Sequence, residues 1–134
     1  MAFDNLHGVA QMNKKTSKKT LTNKLDRECS RVVRSHGKCV WGATKNCGQD
    51  KYELLQCCHI FSRQNRAVRW DLKNMLCMCA GCHFYAHQNP VLFGEFVGNY
   101  LGEYEYAALK NRANNIKRWT TFEMQDLLTA FHNL

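Results

Sequence analysis

The feature that most constrains this chain is the crowding of cysteine and histidine between Cys39 and His87. Seven of its eight cysteines lie between Cys39 and Cys82, and His59, His83 and His87 share the stretch. Cys79-Ala80-Gly81-Cys82 is a C-x-x-C step, which supplies half of a tetrahedral thiolate site when a second cysteine pair lies within reach. Cys39 and Cys47, with seven residues between them, are the candidate second pair, on a loop ahead of the first expected strand. A zinc ion held by Cys39, Cys47, Cys79 and Cys82 would tie that loop to the helix that follows Cys82. Cys77 is the alternative to Cys79, and Cys29 and Cys57 read as buried thiols. Met1 to Lys19 is polar and lysine-rich, without the apolar segment of a secretory signal, and no apolar run approaches the roughly 18 residues needed to span a bilayer. The expected location is therefore cytoplasmic, where clustered cysteines bind metal before they form disulfides.

The 134 residues suit one domain, and a hydrophobic content of 45% with three tryptophans argues for a packed fold. A formal net charge of +8 points to a polyanionic partner, most simply nucleic acid. Residues 1–19, with Lys14, Lys15, Lys18 and Lys19, read as a flexible basic arm that contacts phosphates. Residues 20–134 form the expected domain. Leu21, Leu25, Cys29, Val32 and Val33 recur at helical spacing and Gly37 is a natural stop, which predicts a helix over about 21–35. Short apolar pieces over about 39–88 suit hairpins and loops. Asn89-Pro90 opens a helix with Phe93, Phe96, Val97, Tyr100 and Leu101 as its apolar stripe. A further helix falls near Glu103–Ile116. Thr120 and Glu123 form a capping box for a last helix with Phe122, Leu127, Leu128 and Phe131 on its buried side. There are no internal repeats and no glycine-rich phosphate loop.

Four polar residues, His59, Asn74, His83 and His87, are of the types that phosphodiester chemistry uses. His59 to Asn74 is 15 positions, Asn74 to His83 nine, and His83 to His87 four. Hydrolysing a phosphodiester needs a base for the attacking water and a cation to neutralise charge on the phosphate. His59, at the end of a strand, can be that base, since imidazole titrates near neutrality. Asn74 would fix the imidazole's orientation and tautomer by hydrogen bonding. His83 and His87, one turn apart on a short helix, project together and can grip one ion. Cys58, next to His59, is a possible further ligand that would favour a soft ion, although strand alternation aims it at the opposite face. Arg63, Arg66 and Arg69 are candidate phosphate clamps, because guanidinium presents a bidentate fork to phosphate oxygens.

In these separations, and in the run from Asn74 to the C-x-x-C-H of Cys79 to His83, the chain resembles the HNH (ββα-metal) endonucleases, nuclease colicins among them. Beyond the motif, Leu25-Asp26, the stretch Leu55 to Trp70 and the stretch Asn89 to Tyr100 resemble phage recombination endonucleases of the NinG (Rap) family, over roughly residues 20–115. Two departures stand out: the first cysteine pair is wider than that family's C-x-x-C, and His83 stands where its members often carry asparagine.

The resemblance implies an α+β fold with a small ββα-metal core, a structural zinc, and flanking N- and C-terminal helices. It implies a metal-dependent DNA endonuclease, using Mg²⁺, Mn²⁺, Ni²⁺ or Zn²⁺, with DNA, including branched recombination intermediates, as substrate. The alternatives are a non-catalytic zinc-bound DNA-binding module and an accessory HNH nuclease in phage DNA packaging. No membrane partner is expected, and a monomer is the favoured state.

Overall fold

A computed structural model describes residues 16–45, 47 and 50–134. The fold is α+β, with five helices and one two-stranded antiparallel sheet among the described residues. In chain order these are α1 (Lys18–Arg34), β1 (Leu55–His59), β2 (Met75–Cys79), α2 (Ala80–Gln88), α3 (Pro90–Leu101), α4 (Glu103–Ala113) and α5 (Thr121–His132). Short 3₁₀ turns at Tyr52–Leu54 and Leu72–Asn74 lead into the two strands. Lys14 and Lys15 of the expected arm lie outside the described residues, whereas Lys18 and Lys19 are the first two residues of α1.

Helix α1 starts three residues earlier than its apolar periodicity suggests, because the Ser17 hydroxyl accepts from the Thr20 amide at 3.2 Å and caps the extra turn. Leu21, Leu25 and Cys29 form its buried stripe. Ser35 is the cap at its other end, and Gly37 follows at φ +92°, a conformation that favours glycine. At the far end of the chain, Thr120 accepts from the Glu123 amide at 3.1 Å as the capping box requires. The buried side of α5 is Met124, Leu128 and Phe131, however, with Phe122 78% exposed. Once Thr120 sets the helix start, Phe122 falls outside the 124/128/131 row that faces α1. Arg31 of α1 closes this contact by donating at 2.9 Å to the Phe131 carbonyl, which lies in the last turn of α5 and also accepts from the Leu134 amide at 3.1 Å.

The hairpin separates two cores. On one side Leu21, Leu25 and Cys29 of α1 pack with Trp70, Met75 and the inner face of α5. On the other, Cys58, Leu76 and Met78 pack with Cys79, Cys82 and Val97, against a rim that includes Phe93, Phe96 and Tyr106. β2 is therefore buried along its whole length, while β1 is fully buried only at Leu55 and Cys58. Asn89 and Pro90 separate α2 from α3, but the Asn89 side chain donates back to the Tyr85 carbonyl at 3.1 Å and does not cap α3. Gly102, at φ +85°, makes the corner between α3 and α4. No helix among the described residues is long and apolar enough to cross a membrane.

Candidate metal centre and histidine cleft

Two sites grow from the hairpin and from helix α2 behind it. The first is a thiol cluster. The Sγ atoms of Cys39, Cys47, Cys79 and Cys82 all lie within 4.8 Å of one another, so the four residues can hold a metal ion. Zinc–sulfur bonds of about 2.3 Å place the sulfurs of a tetrahedron about 3.8 Å apart, which this cluster accommodates.

Local structure explains how residues so far apart in sequence converge. Cys79 ends β2 and caps α2, its sulfur accepting from the Cys82 amide at 3.4 Å. The loop bearing Cys39 and Cys47 docks on the same corner. Val40 donates to the Cys77 carbonyl at 3.0 Å, and Trp41 packs on Tyr85, Phe93 and Phe96 with ring centroids 5.2–5.6 Å apart. Gly81 lets the loop approach closely, since a Cβ there would sit 3.1 Å from the Thr44 hydroxyl. Burial raises the Cys82 thiol, but hydrogen bonds from Thr44, Cys79 and the Thr44 and Ala43 backbone outweigh it and bring it down to about 7. Burial, reinforced by hydrogen bonds to Cys39 and Cys82, pushes the Cys47 thiol up to about 12. Four thiolates can share this space only with a cation among them.

The second site opens on the other side of α2. A cleft of about 850 Å³ is lined by His59, His83 and His87 together with Gln56, Asp26, Arg63 and Arg69. Cys82 and His83 are neighbours on α2, about 100° apart around its axis. Cys82 accordingly points into the buried cluster while His83 points into the cleft. The His83 and His87 rings are 5.0 Å apart at their centroids. Burial, and secondarily the nearby His87, lower the pKa of His83 below its ordinary value.

His59 is the last residue of β1, opposite Met75. Burial and then the positive charge of Arg63 lower its pKa, against a hydrogen bond that the ring donates to the Arg69 backbone carbonyl and against the Asp26 carboxylate, which pull it up. The imidazole is thus biased towards its neutral form, the form that accepts a proton.

Asn74 is fully buried, and its role differs from the one its spacing suggests. The carboxamide oxygen accepts from the Phe61 amide at 2.7 Å, and its nitrogen donates to the Phe61 and Val68 carbonyls at 3.0 and 3.1 Å. Every hydrogen bond of this side chain is to the backbone of the loop between the strands, and none reaches the His59 ring. Asn74 sits beneath that loop, so it positions His59 by fixing the chain that leaves it.

Cys58 is 1% exposed and packs with Leu76 and Met78, on the face of β1 away from the cleft. Burial pushes its thiol up to about 12. Cys58 faces the core and does not line the cleft, so the structure does not bring it together with His83 and His87.

The three arginines part ways. Arg69 is held by Asp26 at 2.7 Å, and Asp26 also accepts from the Trp70 indole at 2.9 Å. Arg63 approaches the same carboxylate only to 3.6 Å and keeps 58% of its side chain exposed at the cleft. Arg66 is exposed away from the cleft, where its carbonyl accepts from the Trp119 indole at 2.9 Å. Burial raises the Asp26 pKa, but the bonds from Arg69 and Trp70 and the charges of Arg69 and Arg63 more than offset it and leave Asp26 below its ordinary value.

Sequence reasoning missed two cleft residues, Asp26 as the anchor of Arg69 and Gln56 as a partner of His83. The pairing of Asp26 with Arg69 spans 43 positions and leaves no local signal. Compared with known proteins, the chain matches no family model, no curated protein and no solved structure.

Proposed function

We propose that this chain is a metal-dependent DNA endonuclease in which His59 activates the attacking water and His83 and His87 hold the catalytic ion. The observation that carries the reading is the meeting of His59, His83 and His87 in one cleft, with an exposed arginine, Arg63, at its edge. The two imidazoles fit a divalent ion, as they share one helix face and open to solvent. Such an ion would supply charge neutralisation at the phosphate and the departing oxygen. His59 takes a proton from water as the water oxygen forms its bond to phosphorus. The ester P–O bond breaks, and its electron pair leaves with the departing oxygen. Arg63, exposed at the cleft, holds a phosphate oxygen in this reading, and Asp26 keeps Arg69 in the cleft wall. The four-cysteine cluster, closed and separated from the cleft by α2, is read as a structural zinc site.

The net charge of +8 supports DNA as the partner. The resemblance to phage recombination endonucleases suggests branched intermediates among the substrates. Purified protein incubated with supercoiled plasmid and with a four-way junction, in Mg²⁺, Mn²⁺, Ni²⁺ or Zn²⁺, tests the reading. Metal-dependent nicking or linearisation supports it. DNA binding without cleavage in any of the four ions would favour the non-catalytic zinc module instead.

A further inference from the structure

The two histidines of the cleft are not equally free. The Nδ1 atom of His83 lies 2.8 Å from the Gln56 side-chain oxygen, a hydrogen bond that joins β1 to α2 across the cleft wall. A carbonyl oxygen only accepts, so the proton of this bond belongs to Nδ1. A neutral imidazole carries one ring proton. With that proton on Nδ1, the other nitrogen, Nε2, bears the lone pair with which imidazole binds a cation.

We infer that Gln56 is a positioning residue of the metal site: it holds His83 in the Nδ1–H tautomer and leaves Nε2 free for a divalent ion. The inference rests on the proposed reading that His83 and His87 hold that ion. It matters because this cleft has few ligands. Among the described residues, the only group of three or more His, Cys, Asp or Glu side chains close enough to share an ion is the four-cysteine cluster. An ion in the cleft would therefore rely on two imidazoles and on oxygens from water or phosphate. With so few protein ligands, a wrong tautomer at one of them forfeits half of the set. Ligating histidines generally donate their second ring N–H to an outer acceptor, and loss of that acceptor typically weakens metal binding about 10- to 100-fold.

Alternation along β1 makes Gln56 hard to recognise in sequence. It is out of phase with His59, and its long side chain reaches the ring from the exposed edge of the strand.

Two measurements on the full chain test the inference. The first is the ¹⁵N spectrum of ring-labelled histidine at about pH 8, without added cleft metal, where each neutral tautomer has its own pair of ring-nitrogen shifts. His83 should show the Nδ1–H pattern, and Gln56→Leu and Gln56→Ala should shift it towards the Nε2–H form. The second is calorimetric titration with Ni²⁺, using His83→Ala to identify the cleft component of binding. Both Gln56 variants should lose about 10- to 100-fold in that component, and Gln56→Glu, which still accepts from Nδ1, should restore it. An Nε2–H pattern in the wild type would overturn the inference, since Gln56 would then be donating through its amide nitrogen. Unchanged Ni²⁺ affinity in Gln56→Ala, with affinity lost in His83→Ala, would overturn it and leave the metal reading of His83 standing. Unchanged affinity in His83→Ala would overturn both.

Discussion

The thiol cluster and the histidine cleft share helix α2 yet are built on opposite principles. The cluster gathers four ligands from two segments, has buried sulfurs in Cys79 and Cys82, and is locked by Trp41, Val40 and the close approach of Gly81 to Thr44. The cleft gathers two imidazoles and a third histidine around an opening of about 850 Å³, with exposed polar side chains on its rim. A closed set of four ligands leaves no coordination position for a substrate, and its binding free energy goes into folding. An open pair of ligands leaves positions for water and phosphate, and contributes little to folding. On the proposed reading, one helix carries a stabilising face and a reactive face, divided between adjacent residues Cys82 and His83.

The largest effect should come from the closed site. Cys79→Ser or Cys82→Ser should abolish cooperative thermal unfolding, and metal analysis of the dialysed wild-type protein should return about one zinc per chain. His83→Ala, one position further on, should leave the melting transition almost unchanged. A wild type without zinc and with normal stability would erase the contrast between the two sites.

Asn74→Ala lies between these extremes. It removes the partners of the Phe61 amide and of the Phe61 and Val68 carbonyls, and each buried group left unpaired costs about 1–3 kcal/mol. Urea denaturation should show a loss of a few kcal/mol, and cleavage should fall because the chain leaving His59 is released. A variant as stable as wild type would mean that the loop holds its shape without Asn74.

The pH dependence is the mildest of these tests. Burial and the Arg63 charge lower the pKa of His59, so its neutral, proton-accepting form persists below the ordinary histidine value of 6.5. The cleavage rate kcat/KM should therefore be flat at neutral pH and fall as pH drops through a value under 6.5. A fall of about tenfold is expected one pH unit below that midpoint. A midpoint above 7 would assign the titration to another group.

Much of this division can be read from residue spacing, because it depends on local chemistry. The C-x-x-C step, the i, i+4 histidine pair, and caps such as Thr120 act within a turn or two of chain. Cys39 and Cys47 were legible only as the remaining cysteines at plausible distance. What the sequence conceals depends on contacts between distant segments. The true inner row of α5, with Met124 in place of Phe122, is decided by where α1 packs. The Asp26–Arg69–Trp70 cluster, the Trp41 anchor and the Gln56–His83 bond are likewise made by tertiary packing. Asn74 illustrates both sides: its position was legible from the register with His59, but its action on the loop backbone was not.

The central claim is that the cleft performs hydrolysis with His59 as its base, and the most direct measurement compares wild type and His59→Ala in single-turnover cleavage at saturating DNA. Binding affinity and melting temperature are followed in parallel. General-base catalysis contributes about 10²- to 10⁴-fold, so the variant should lose at least about 100-fold in rate while binding DNA and melting much as wild type does. Retention of more than about a tenth of the wild-type rate would contradict the assignment of His59 as the base.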